Sequence, residues 1–384
     1  MPMTLAPTRP ADRTSRTVSP PTARATARHH LQRTWQATLT VNPGNGRADL
    51  GVALRAGLTV LAALALLAAI GHRELAGFAA LGAIVAVYGR LADPVARLTV
   101  VGGAGVLQVA TMALASGTGW LVASTGSATL EAWTVPVALG LIAALACAGT
   151  AWFRTGPPGP TLVVFAAAGG LTAPATVGGI GARSLATATG VVLALLVAAI
   201  PAVRAVARRV QERSPLLPAH PPVPAWHAEA LRTGVGSLVG AVVAQSVGLG
   251  HPGWAAVGAT AVLQGVSRSH MVVRALHRGA GTAAGAVLAW LVLDAHLSFW
   301  VLALVVAALQ VVTELIVVRN YAVAMLTITP MALLMSSLSG VVDAGTLAAD
   351  RAVDTLLGVV VGVIVVLVVP FRERPVQAPS TARL

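Results

Sequence analysis

The sequence predicts an all-α fold: a polytopic transmembrane helical bundle of about twelve spans, built as two six-helix repeats in parallel orientation. Three observations carry that expectation. The mean hydropathy is +0.80, with 56% hydrophobic and 10% charged residues, far outside the soluble globular range. Apolar stretches of about 16–21 residues recur, the length needed to cross roughly 30 Å of hydrocarbon. And the apolar bulk is written twice. GFAALGA at 77–83 is matched by GWAAVGA at 253–259, and GAG at 103–105 by GAG at 279–281. Arg183-Ser-Leu-Ala-Thr187-Ala-Thr-Gly190 is matched by Arg351-Ala-Val-Asp-Thr355-Leu-Leu-Gly358, and Pro201 and Arg204 by Pro370 and Arg372. Internal symmetry within hydrophobic segments is a signature of transporters built from structural repeats, with the substrate site between them.

In chain order, residues 1–50 are rich in Arg, Pro, Thr and Ala without an apolar core, so they read as a disordered basic cytoplasmic tail rather than a signal peptide. Residues 29–35, His29 to Trp35, suit a short interfacial helix. The first repeat, 51–203, divides into spans at 51–70, 75–89, 97–116, 133–153, 160–176 and 183–203. Runs such as 51–70, 183–203 and 352–369 lack the period-2 alternation of a barrel strand, which leaves the helix as the structure that satisfies its own backbone in lipid. Residues 204–228 form an Arg- and Pro-rich cytoplasmic linker, a semi-rigid spacer. The second repeat, 229–370, has spans at 229–249, 252–267, 278–293, 298–318, 320–338 and 351–370, and 371–384 are a cytoplasmic tail. Six spans per half is an even number, so the halves share one orientation about an axis along the membrane normal.

Charge sets the sidedness. All 26 basic residues are Arg. With the N-terminus inside, only Arg73, Arg183 and Arg351 fall outside, where Glu74, Glu131, Asp294, Asp343 and Asp350 also lie. This asymmetry predicts a multi-pass plasma-membrane protein with both termini cytoplasmic, and it argues against nucleic acid as the partner of a net charge of +13. Membrane lipid is the expected surrounding, and the oligomeric state is left open.

The absence of Lys excludes a phosphate-loop ATPase, Schiff-base chemistry and Ser-x-x-Lys catalysis. No HExxH, Cys-x-x-Cys or Gly-x-Ser-x-Gly motif occurs, and Cys147 is the sole cysteine. The expectation is therefore no enzyme, no catalytic residues, no metal and no cofactor; transport would draw on an ion or substrate gradient.

Ionisable groups within spans are candidates for function. Glu314, in LQVVTELIVVRNY, and Asp354, in DRAVDTLLG, are the proton-coupling candidates, unless a neighbour such as Arg319 or Arg351 neutralises them for packing alone. Among Gln108, Gln245, Gln264 and Gln310, which serve helix packing, Gln264 is the best candidate for more because it lies near Arg268. Gly236–Gly240, Gly281–Gly285 and Gly358–Gly362 have the GxxxG spacing of close helix contacts. Pro174 and Pro330 fall in the fifth span of each half, where an interrupted helix beside Thr172, Thr327 and Thr329 would expose carbonyls and hydroxyls to a path. Arg55, Arg97, Arg232, Arg274 and Arg278, at cytoplasmic helix ends, would form a vestibule for anions wherever one turns inward.

The second half resembles the fusaric-acid-resistance (FUSC) family of integral membrane transporters. The resemblance rests on HPGWAAVGATAVLQ at 251–264, RALHRGAGTAAGAVLAW at 274–290, ELIVVRNYAVAMLTITPMALLM at 314–335 and DRAVDTLLGVVVGV at 350–363. The first half resembles the same pattern more loosely. The resemblance implies proton-driven efflux of small aromatic carboxylic acids and related amphipathic compounds, and it adds Arg278, Asn320, Tyr321, Pro330 and Arg351 to the substrate path. Relatives often carry a cytoplasmic domain between the halves, where this chain has a 25-residue linker. The expectation is a secondary exporter of small organic anions; the alternative is a non-transporting scaffold or accessory subunit that binds a partner or anionic lipid through its Arg-rich tail.

Overall fold

The structure, a computed structural model, describes residues 46–90, 92–172, 174, 176–212, 226–265, 267–338 and 343–369. The interfacial helix expected at 29–35, most of the N-terminal tail, the proline-rich part of the linker and the C-terminal tail lie outside the described residues, as do Pro370 and Arg372. What is described is all-helical. Twelve α-helices are present among these residues: α1 Arg47–Ala69, α2 Ala76–Ala83, α3 Pro94–Thr125, α4 Ala128–Trp152, α5 Thr161–Gly170, α6 Val177–Glu212, α7 Trp226–Ser246, α8 Pro252–Leu263, α9 Arg268–Asp294, α10 Phe299–Ile316, α11 Tyr321–Ser337 and α12 Ala344–Val368.

Local chemistry sets the ends of these helices. Asp93, Ser127, Ser267, Asn320 and Asp343 each accept a backbone N–H of the first turn that follows, and Pro94 and Pro252 occupy first-turn positions where no N–H is needed. Gly126 ends α3 in the left-handed conformation at φ 61°.

Among the described residues, seven helices (α1, α3, α4, α6, α9, α10 and α12) are long and apolar enough to cross a membrane. Twelve spans of full length are not what the helices provide. α5, α8 and α11 are apolar but shorter, α2 has 8 residues extended by a 3-10 turn at Ile84–Val87, and α7 is long enough but more polar. The short second helices are not surface elements. Every residue of α2 and of its 3-10 turn is buried, as is α8 from Trp254 to Leu263. Helices apolar all round belong at the centre of a bundle, and the longer helices surround these two.

The packing repeats itself. α2 lies against α1 and α6 as α8 lies against α7 and α12; α3 contacts α5 and α6 as α9 contacts α11 and α12. Between the halves, α4 packs on α7 while α1 packs on α10, and α5 meets α8 while α2 meets α11. Glycine makes the two tightest approaches possible. A Cβ on Gly190 would lie 1.9 Å from the Ala79 carbonyl oxygen, and one on Gly358 would lie 2.0 Å from that of Ala255. The helix backbones touch there, at the positions where the two halves of the sequence correspond.

Candidate functional site

α9 and α11 also approach at backbone distance: a Cβ on Gly281 would sit 2.6 Å from the Ala322 carbonyl oxygen. That closeness brings α9 residues one turn away onto the start of α11. Arg278, 3% exposed, donates to the Tyr321 hydroxyl at 3.0 Å and lies 3.9 Å from Met325 Sδ. Arg274 places its guanidinium 4.6 Å from the centre of the Tyr321 ring, a cation–π contact, and the His277 ring lies tilted to the same ring with centroids 6.5 Å apart.

α12 supplies the facing groups. Arg351 is 1% exposed and sits over two aromatic rings, Trp254 of α8 at 5.3 Å and Phe165 of α5 at 5.7 Å. It interacts electrostatically with Arg278 and with Tyr321. Several of these buried polar atoms have no hydrogen-bond partner among the described residues: Arg351 Nε and Nη1, Arg278 Nε, the hydroxyls of Thr282, Thr329 and Thr355, and both carboxylate oxygens of Asp354. Asp354 itself is fully buried and forms no ion pair with Arg351 within 4.0 Å. Native proteins seldom leave such groups open, because an unpaired buried charge costs several kcal/mol. Two cations with open N–H positions thus lie beside aromatic faces and hydroxyls.

The other arginines named from the sequence do different work. Arg55 of α1 and Arg97 of α3 donate to the carbonyls of Ala86 (3.4 Å) and of Gly89 (3.0 Å) and Ala92 (2.9 Å). Arg232 of α7 and Arg274 of α9 donate to the carbonyls of Leu263 (3.3 Å) and Ala261 (3.0 Å). Arg232 and Arg274 satisfy carbonyls at the open end of α8 and Arg55 one in the 3-10 turn after α2, where a cation also complements the helix dipole. Arg97 holds the turn carbonyls of Gly89 and Ala92 ahead of its own helix. Of the five, Arg278 and Arg274 both reach the cluster around Tyr321, and Arg278 is the one that donates to the Tyr321 hydroxyl.

Glu314 lies elsewhere, near the end of α10. Its carboxylate meets Arg90 Nη1 at 3.0 Å and accepts from Gln310 at 3.2 Å, and Arg90 also reaches the Glu314 carbonyl (2.7 Å) and Asp49 (3.4 Å). The neutralising partner is therefore Arg90 and not Arg319, whose guanidinium, in the turn after α10, caps the Leu315 carbonyl. This ion-pair triad ties α1 and the turn after α2 to α10, across the two halves.

The remaining candidates sort by geometry. Gln264 donates to Thr161 Oγ1 and to the Thr260 carbonyl, fastening the end of α8 to the start of α5. Thr327 shares a 2.6 Å hydrogen bond with Thr313 of α10, while Thr329 faces inward with its hydroxyl open. Asn320 caps α11 by accepting from Val323 N at 3.1 Å. α11 runs through Pro330 unbroken, so no stretch of free carbonyls opens there; in the first half α5 ends at Gly170, ahead of Pro174.

Sequence reasoning missed Trp254, Phe165, His251, Asp350 and Arg90. One signal was available: Trp254 matches Phe78 in the repeat, and Arg183 covers Phe78 at 4.8 Å as Arg351 covers Trp254. His251, in the turn before α8, pairs with Asp350 at 3.1 Å, and burial holds its imidazole below its ordinary pKa against the pull of that carboxylate.

Comparison with known proteins agrees with the second-half resemblance. Residues 238–365 match the family described as "Fusaric acid resistance protein-like". The chain is similar to the "Uncharacterized membrane protein YvaC" of Bacillus subtilis (strain 168), 30% identical over 155 residues, which is 40% of this chain. The match spans a quarter (25%) of that relative's length. No solved structure matches. With the long apolar helices, these findings make the chain a multi-pass membrane protein.

Proposed function

We propose that this chain is a secondary exporter of small organic anions, with aromatic carboxylates as the preferred class, and that export is coupled to protons. The observation that carries the reading is the pairing of Arg278 and Arg351, both buried, both with open N–H groups, beside Trp254, Phe165 and Tyr321. A guanidinium recognises a carboxylate through parallel N–H bonds, and the aromatic faces suit an aromatic body. Asp354, buried in the same region without an ion pair within 4.0 Å, is the proton carrier, and the Glu314–Arg90–Asp49 triad holds the cytoplasmic ends of the halves together.

In this reading the short helices complete a twelve-element architecture of two parallel six-helix repeats in the plasma membrane, with the termini cytoplasmic. The recurring helix contacts and the Arg distribution support it. Alternating access would rock one half against the other across the α1–α10 and α4–α7 contacts.

The test is counterflow in proteoliposomes with a panel of labelled benzoates, phenylacetates and their methyl esters. Acids should exchange and the uncharged esters should not. Exchange of esters at the same rate, or of nothing in the panel, refutes the reading. Replacing Arg351 by Met should abolish the exchange of acids.

A further inference from the structure

The first turns of α12 carry a titratable cluster that anion recognition does not use. His251 lies flat against Trp254, with ring centroids 4.0 Å apart and an interplanar angle of 11°. Its Nδ1 is 3.1 Å from Asp350 Oδ2, and the two side chains are 37% and 30% exposed, so the pair opens out of the bundle. Gly250 lets the α7–α8 turn close over this carboxylate, since a Cβ there would stand 3.0 Å from Asp350 Oδ2. Four residues further along α12, on the same helix face, is the fully buried Asp354.

The groups facing Asp354 are few. Asp350 and Arg351 interact with it from α12, and the backbone of His251 borders it from the α7–α8 turn. Arg278 of α9 and Tyr321 of α11 face Arg351. The charged residues of α7, Glu229 and Arg232, lie in its first two turns, far from His251. A buried carboxylate that carries a proton needs a route for it, and the single titratable pair between Asp354 and the exposed end of α12, among the described residues, is His251–Asp350.

We propose that His251 and Asp350 form a proton port that connects Asp354 to the solvent on the side of the α7–α8 turn. A proton from water enters the pair, whose Asp350 oxygen and imidazole Nδ1 already share a hydrogen bond. It then passes one helical turn inward to a carboxylate oxygen of Asp354, and the pair returns to its starting state. Stacking on Trp254 holds the imidazole plane in place, and the partial burial of His251 leaves it uncharged at neutral pH, ready to accept. What the proton drives rests on the exporter reading; the port itself does not.

The experiment separates the two. Dicyclohexylcarbodiimide modifies protonated carboxyl groups in apolar surroundings, and its product at Asp354 can be mapped by mass spectrometry. In sided proteoliposomes, modification of Asp354 should rise severalfold when the pH on the His251 side alone falls by roughly two units. His251→Gln and Asp350→Asn should lose that response while eluting as folded protein. Modification that follows only the pH on the opposite side, or an unchanged response in both variants, overturns the port. In the same vesicles, both variants should keep counterflow within about twofold while proton-driven accumulation falls about tenfold. An equal fall in both would mean a structural role and also overturns the port. If the wild type exchanges no acid, the exporter reading fails, and the labelling result still decides the port.

Discussion

Replacing Gly358 by Ala tests the central packing claim. The added Cβ would stand 2.0 Å from the Ala255 carbonyl oxygen, whereas ordinary contact begins at 3.4 Å, so α12 must retreat from α8 by about 1.4 Å (3.4 − 2.0). Nothing flexible can absorb that movement, because the opposing atom is backbone and the Ala255 Cα and carbonyl carbon crowd the same point at 2.8 and 2.7 Å. Overpacking of well-packed interiors costs typically 1–3 kcal/mol, and a shift of this size belongs at or beyond the upper end. Against it stands the helix-propensity gain of Ala over Gly, about 0.8–1.0 kcal/mol.

A matched control is built into the chain. Gly117 lies within α3 with nothing near its missing Cβ, so Gly117→Ala should be neutral or slightly stabilising. Thermal unfolding in detergent, followed by light scattering and tryptophan fluorescence, reads all the variants. Gly358→Ala and its counterpart Gly190→Ala, 1.9 Å from the Ala79 carbonyl oxygen, should both fall well below the wild type and the control. If Gly358→Ala unfolds with Gly117→Ala, the backbone contact between α8 and α12 is wrong. If the two counterparts behave oppositely, the packing does not repeat in the way the contacts indicate.

Three further predictions use the charged groups. Arg90→Ala leaves Glu314 buried without its cation and should cost about 3–5 kcal/mol, much of which returns when Glu314→Gln is added; additive losses in this double-mutant cycle would refute the pair. Arg351→Met removes a buried cation with two open N–H positions, so it should unfold at or above the wild-type temperature while acid binding weakens roughly tenfold to a hundredfold, the value of a charge-assisted contact; lower stability with unchanged binding would contradict the assignment. Asn320→Ala removes the cap of α11 and should cost about 1 kcal/mol in the same unfolding assay with exchange kinetics unchanged, whereas a lost exchange at full stability would make Asn320 part of the path.

The sequence carried the scaffold well because the scaffold is a matter of small residues in register. Gly190 and Gly358, or GFAALGA and GWAAVGA, are visible as strings, and close backbone contact is what those strings permit. Helix length was less legible. α2 and α8 are shorter than the predicted spans, and the arginines that meet carbonyls at or beyond their ends, Arg55, Arg97, Arg232 and Arg274, are recognisable as such only once placed in space. The same four residues read as an anion vestibule from sequence, since a basic residue at a cytoplasmic helix end looks alike whether it faces solvent or a carbonyl. The partner of Glu314 was out of reach for another reason: Arg90 is 224 residues away in the other half, while helical spacing inspects only the neighbours on one helix.

The divergence of the halves has a structural cause in their fifth helices. Arg183 and Arg351 occupy matched positions, each over the ring that opens the second helix of its half, yet only one is left with open donors. α5 stops after 10 residues, at Gly170, which frees the Thr172 carbonyl, and Arg183 donates to it. α11 instead continues for 17 residues, through Pro330 to Ser337, and most of its interior carbonyls are spent within the helix, that of Leu326 excepted because Pro330 has no N–H. Among the described residues Arg351 Nε and Nη1 have no acceptor, and the first half's Phe165 covers the guanidinium face without satisfying them. The matched arginine is thus a backbone cap in the first half and not in the second. In the exporter reading proposed above, the carboxylate of a transported acid is the acceptor that suits such a guanidinium.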